Sequence, residues 1–241
     1  LSKRKQRTMT HVVDNTIDFN SYAQSRRIPQ LIPKSLSQEH YIELLRNPDV
    51  NVVMAAGPAG TGKTMMAVIA GIQAFRSELV DRIIITRPAV GVDGEQHGFL
   101  PGDLNSKMEP WTRPIFDVFH EYYSTKDTAR MLEEQTIEIS PLAFLRGRTF
   151  KRSWIIFDEA QNSTENQMKM VLTRLGDDSK MVITGDLAQH DRKFTQENGF
   201  RDFIQRLKTY GSTRIGLVEF SSRDIQRHPL VKEVLKLYGE L

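Results

Sequence analysis

The chemistry of this chain starts at a glycine-rich run. Gly57, Pro58, Ala59, Gly60, Thr61, Gly62, Lys63 and Thr64 satisfy every fixed position of G-x-x-x-x-G-K-[ST]. In such a turn, successive backbone N–H groups converge on the β- and γ-phosphates of a nucleotide at a helix N-terminus. Lys63 would reach those phosphates, and the Thr64 hydroxyl would ligate Mg²⁺. Met65 follows directly and is grouped with these contacts. The flanks suit the motif, because Asn51–Ala56 reads as a short buried strand and Met65–Phe75 as a helix rich in Ala, Met and Ile. The chain is therefore expected to bind a nucleoside triphosphate.

A second signal complements the first. Trp154–Gln161 is an apolar strand ending in two acids. Asp158 at the strand end can hold the hydration shell of Mg²⁺. Glu159, one residue on, can polarise the water that attacks the γ-phosphate, which separates metal binding from base work. Another strand runs into Thr184-Gly-Asp-Leu-Ala-Gln189. Ligands of an open parallel sheet sit beyond the carboxyl ends of its strands, so Gln189 is a candidate γ-phosphate sensor. Gln38 could read an adenine edge, since its amide both donates and accepts. Near the end, Arg223 and Arg227 stand four apart. A forked, permanently charged guanidinium suits phosphoryl oxygens in a transition state. On spacing alone, however, a surface arginine paired with Asp224 or Glu219 is the better reading.

The elements that must position these groups alternate. Apolar runs at 82–86, 153–157, 180–184 and 214–218 are continuous rather than alternating, as in parallel strands covered on both faces. Helical patterns at 65–77, 108–123, 163–175 and 198–209 separate them, and a further helix is expected from 37 to 46, capped by Ser35 or Ser37. Together they predict an α/β fold, a P-loop NTPase (RecA-like) domain whose doubly wound, mainly parallel sheet has helices on both faces. Residues 1–34 read as a basic flexible arm, carrying Lys3, Arg4, Lys5 and Arg7 with no acid in the first ten. Residues 35–241 read as a single ATPase-type domain, with an insertion at about 88–150.

Composition excludes some classes. There is no cysteine in 241 residues, which rules out disulfides and thiolate metal sites. No apolar stretch approaches the ~18 residues that span a bilayer, so no membrane partner is expected and the protein is read as cytoplasmic. Net charge is +3, with a pI near 9.1.

Several segments beyond the two motifs are distinctive: ITRPAV (85–90), GFLPGDLNSKMEPW (98–111), PLAFLRGRTF (141–150), VITGDLAQHD (182–191) and DIQRHPLV (224–231). With GPAGTGKT and IIFDEAQN, they make the chain resemble the PhoH family, P-loop ATPases related to the core of superfamily 1 helicases. The resemblance covers about residues 30–240. It implies ATP with Mg²⁺, places Arg227 as an arginine finger and Gln38 at the adenine, and sets Arg87 beside bound nucleic acid. Some members carry a PIN nuclease domain ahead of the ATPase, and nuclease activity is not expected of this chain.

The leading expectation is a helicase-like ATP hydrolase that couples turnover to single-stranded nucleic acid, RNA before DNA. Arg146 and Arg148, beside Lys151 and Arg152, supply phosphate-neutralising charge. Trp111, Phe116, Phe144 and Phe150 are stacking candidates that read more readily as core. A P-loop kinase and a nucleotide-switched assembly partner are the alternatives. Superfamily 1 helicases bring the finger from a second core, for which this chain lacks room. Arg227 then serves either in cis or from a neighbouring subunit, and a homo-oligomer in the form of a hexameric ring is the favoured arrangement.

Overall fold

Strands that are apolar throughout must be covered on both sides, and they are. The computed structural model describes residues 29–88, 104–187, 198–227 and 229–237. Six strands form one sheet: β1 (Val52–Ala56), β2 (Arg82–Thr86), β3 (Ile137–Ile139), β4 (Ser153–Phe157), β5 (Lys180–Gly185) and β6 (Ile215–Glu219). Their order is β3-β2-β4-β5-β1-β6, and every neighbouring pair is parallel.

Alternation that is invisible in the sequence is clear in space. Val53 and Ala55 of β1 face a core with Tyr41, Met66, Phe75, Phe119 and Met131. Val52, Met54 and Ala56 face a second core with Leu142, Met168, Val171, Phe200 and Ile204. The first layer is built by α1 (Leu36–Arg46), α2 (Lys63–Arg76), α3 (Leu104–Tyr122) and α4 (Thr125–Glu133). The second is built by α5 (Glu165–Leu172) and α6 (Gly199–Tyr210), and α7 (Pro229–Leu237) closes the chain.

The helix starts follow local chemistry. Ser35 caps α1 by accepting from the Gln38 N–H at 3.3 Å, and Thr164 caps α5 in a full capping box with Gln167. Lys180 Nζ donates to the carbonyls of Leu44, Leu45 and Asn47 at 2.8–2.9 Å, closing the other end of α1.

The stretch read from sequence as an insertion is partly core. Within it, Ile115, Phe119 and Met131 are buried, and β3 pairs with β2 through Ile83↔Ile137. Three residues, Ile-Glu-Ile, are too few to show a strand period. The arm, too, is anchored at its end, where Gln73 Nε2 donates to the Pro29 carbonyl and Leu31 is buried.

The sheet order sets the site. β5 lies between β1 and β4, so the loop after β1 and the acids after β4 stand two strand spacings apart, each of about 4.8 Å. The polar end of β5 fills the gap. Among the described residues, no helix is long and apolar enough to cross a membrane.

Candidate nucleotide-binding site

The loop after β1 turns through left-handed glycines at Gly60 (φ 82°) and Gly62 (φ 85°), a region open to glycine at little cost. Lys63 opens α2 and is buried. Its Nζ donates to the carbonyls of Gly57 at 2.7 Å and Pro58 at 2.8 Å, and to Thr61 Oγ1 at 3.4 Å. Burial pulls its pKa down against the acids Asp186, Asp158 and Glu159, while the Arg227 charge adds to the depression. The ammonium is thus satisfied by loop carbonyls that a phosphate would replace.

On the metal side, Thr64 Oγ1 donates to Asp158 Oδ1 at 2.8 Å. Thr184 Oγ1 donates to the same oxygen, and the Asp158 N–H is held by the Thr86 carbonyl at 3.0 Å. A hydroxyl and a carboxylate on one point suit a hard cation that keeps most of its water. Magnesium commonly takes one or two protein oxygens and the rest from phosphate and water. Among the described residues, no cluster of three or more His, Asp or Glu side chains is placed to hold a metal ion. A cavity of about 280 Å³ is lined by Ala59, Gly60, Gly62–Met65, Asp158, Glu159, Gly185 and Asp186.

Glu159 adopts a left-handed backbone (φ 54°), which is uncommon for a residue with a side chain. Both of its carboxylate oxygens are engaged. Gln161 Nε2 donates to Oε2 at 2.5 Å, and Arg87 Nη2 stands 3.8 Å from Oε1. Gln161 is buried and accepts from the Asp186 N–H at 3.1 Å, so it ties the end of β4 to the end of β5. Arg87, expected beside nucleic acid, is here within the sphere of the water-activating candidate.

Two distant segments clasp the loop from outside. Gln38 Nε2 donates to the Thr61 carbonyl at 3.0 Å, and its Oε1 accepts from the Lys34 N–H at 2.7 Å. Both ends of the buried amide therefore already serve the fold. Tyr41 Oη donates to the Lys63 carbonyl at 3.2 Å. From the other side, the Gln226 N–H donates to the Gly60 carbonyl at 2.8 Å. The Arg227 side chain lies across Gly60 so closely that a Cβ there would fall 2.4 Å from its Nε.

This corrects one expectation. Arg227 pairs with neither Asp224 nor Glu219, because Asp224 binds serines and Glu219 pairs with Lys208. Its side chain rests on the loop of its own chain, the cis arrangement that the sequence left open beside delivery from a neighbouring subunit. Most of the basic group at 146–152 is paired with acids. Arg148 makes a two-pronged pair with Glu138 and stacks over Phe150, 4.6 Å from the ring centroid, while Arg152 pairs with Asp81 and Lys151 with Asp177. Phe150 is buried, whereas Phe144 and Arg146 are exposed. Gln189 lies outside the described residues.

Sequence reasoning missed Tyr41, Gln161, Thr184, Asp186 and Asp224. Gln161, Thr184 and Asp186 lie within the strand-end motifs themselves, so their position was a signal. A larger cavity of about 770 Å³ opens at the opposite, N-terminal ends of the strands, among Leu45, Trp154, Lys180 and Arg214. It holds neither phosphate-binding loop nor strand-end acid.

Known proteins match this pattern. The family profile described as PhoH-like protein matches residues 30–239. A PhoH-like protein of Bacillus subtilis is 43% identical over 207 residues, covering 86% of this chain and 63% of that protein. One from a Synechocystis species is 41% identical over 216 residues, covering 90% and 64%. Protein PhoH of Escherichia coli is 35% identical over 217 residues, covering 89% and 60%. The chain thus spans just under two thirds of the length of these relatives. Among solved structures, the Pif1 helicase from Candida albicans aligns with 86% of this chain and 44% of its own, at 15% identity and a TM-score of 0.38.

Proposed function

The chain belongs to the PhoH-like protein family, and on that footing we propose that it hydrolyses Mg–ATP and couples turnover to binding or remodelling single-stranded nucleic acid, RNA in particular. The observation that carries the ATPase reading is the convergence of Lys63, Thr64, Asp158 and Glu159 on one cavity. In this reading, loop N–H groups and Lys63 cradle the β- and γ-phosphates. Thr64 and Asp158 hold the metal, which supplies charge neutralisation when bound. Glu159 orients and polarises the attacking water once its contacts with Gln161 and Arg87 are rearranged. Arg227 acts in cis on the charge that develops on the transferred phosphoryl. In this reading the finger needs no neighbouring subunit, so a hexameric ring would have to rest on other grounds than a shared finger.

A carboxylate beside the metal-binding acid favours water over an alcohol acceptor, which places the kinase behind the hydrolase. Support for nucleic acid is narrower, resting on exposed Arg146 and Phe144, two residues apart, together with Arg87 at the site's edge. A steady-state ATPase assay with single-stranded RNA, single-stranded DNA or neither tests the whole reading. Turnover accelerated by RNA is the expected result. Turnover indifferent to both polymers would remove the coupling, and tight ATP binding without turnover would remove the enzyme.

A further inference from the structure

One buried acid beside the site has no part in the chemistry above. Asp224 is 5% exposed and closes the 3-10 turn Ser222–Asp224 that precedes Arg227. Its Oδ2 accepts from the Ser221 N–H at 2.8 Å, from Ser221 Oγ at 3.1 Å and from Ser37 Oγ at 3.2 Å. Ser35, two residues before Ser37 at the cap of α1, also favours the ionised carboxylate. No cation pairs with it among the described residues. All its partners are neutral donors, and they come from two places: the N-terminus of α1 and the turn itself.

Those two places are the clasps of the phosphate-binding loop. Three residues past Ser35, Gln38 holds the Thr61 carbonyl, and two past Asp224, Gln226 holds the Gly60 carbonyl. Between them, Phe220 seats against Gly57 and meets Tyr41 edge-on at 5.6 Å. We propose that Asp224 is a positioning residue, a knot that locks the α1 clasp to the turn and thereby holds the Arg227 guanidinium over Gly60. The proposal rests on the ATPase reading of the site.

The electrostatics agree with that role. Burial pushes the Asp224 carboxyl up, but the hydrogen bonds from Ser221, Ser35 and Ser37 outweigh it and keep the pKa below the ordinary carboxylate value. The group is ionised at neutral pH, and hydrogen bonds to an ionised acceptor are roughly twice as strong as neutral ones. An asparagine would keep the shape at lower strength, because serine hydroxyls can rotate to accept from its amide.

The test is a set of kinetic cycles. Asp224→Ala, Asp224→Asn and the double variant Ser35→Ala/Ser37→Ala are each made in wild-type and Arg227→Ala backgrounds. In the wild-type background, Asp224→Ala should lower kcat by about tenfold, corresponding to ~1.4 kcal/mol of barrier, with KM for ATP shifting less than about threefold. Asp224→Asn and the serine pair should fall between, and they carry the test if Asp224→Ala fails to fold. In the Arg227→Ala background these losses should vanish, because a knot that works through Arg227 has nothing left to position. Equal losses in both backgrounds, an unchanged kcat, or a harmless Arg227→Ala would each overturn the proposal. If the wild type shows no turnover, the ATPase reading fails by itself. Hydrogen exchange at the Gln226 amide then decides the knot: lost protection in Asp224→Ala or Asp224→Asn supports it, and unchanged protection overturns it.

Discussion

Removing the guanidinium of Arg227 should cripple turnover while leaving ATP bound, and no second subunit should be able to repair the loss. The guanidinium lies on Gly60, within the cradle for the terminal phosphates, and its charge is felt at Lys63. For a unit charge roughly 5 Å from the negative charge developing on the phosphoryl group, an effective dielectric of about 20 gives about 3 kcal/mol. That is on the order of 10²-fold in rate, at the low end of what supplied arginine fingers achieve, about 10³–10⁵. Arg227→Lys should recover a part, since a point charge remains but the fork is gone. The assay is phosphate release at saturating ATP, with nucleotide affinity measured separately. Mixing Arg227→Ala with an excess of Lys63→Ala separates cis from trans. In cis every site lacks one of the two groups, and the mixture should stay inactive. Recovered turnover in a mixture shown by tagged pull-down to co-assemble would refute the cis geometry. Turnover within about threefold of wild type in Arg227→Ala alone would refute any finger role. Gly60→Ala offers a check from the other partner, because the new methyl would stand 2.4 Å from Arg227 Nε at a backbone φ of 82°. It should cost much of the same turnover.

Other expectations follow from the same geometry. Lys63→Ala should abolish nucleotide binding, whereas Glu159→Gln should retain ATP and stop hydrolysis; near-normal release by the Glu159 variant would dismiss it as the base. Arg146→Ala should flatten the salt dependence of nucleic-acid binding. Arg148→Ala should leave that slope alone and cost about 1 kcal/mol of stability through the lost pair with Glu138; reversed effects in the two variants would restore Arg148 as a phosphate contact. Burial lowers the Lys180 amine to about 8, while an unfolded lysine titrates near about 10.4. Between those values the unfolded chain binds the extra proton, so stability relative to Lys180→Met should rise with pH across that window. A flat difference in urea midpoint over the same range would contradict it.

What could be read in advance was whatever is contiguous. The phosphate-binding loop is eight consecutive residues, and the acids follow a five-residue apolar strand, so both sites appeared whole in the sequence. The strands other than β3 stood out because burial on both faces leaves uninterrupted Val and Ile. β3 escaped because three residues carry no period. Gln38 was read from sequence as an adenine contact, and its amide binds the Thr61 carbonyl and the Lys34 N–H, partners that no sequence pattern displays. The clasp at Asp224 was illegible for a different reason, since its contact with Ser37 joins residues 187 apart. The pairing within the basic cluster was illegible because a sequence displays charge but not its partners. Arg148, Arg152 and Lys151 look available until the fold brings Glu138, Asp81 and Asp177 to them.

The placement of β6 beside β1 also has a temporal consequence. β1 leaves the ribosome before β2, β3 and β4, but its neighbours on either side, β5 and β6, come only after them. Ser37 waits a further 187 residues for Asp224, about 10–40 s at translation speeds of roughly 5–20 residues per second. Until β5 and β6 follow, the loop lacks either neighbouring strand to brace it, while β2, β3 and β4 can already assemble among themselves. A nascent chain should therefore acquire ATP affinity abruptly, at the length where β5 and β6 have both emerged, rather than when the loop itself does. Ribosome-bound intermediates stalled before and after that length would show whether the nucleotide is admitted only once both neighbouring strands are in place.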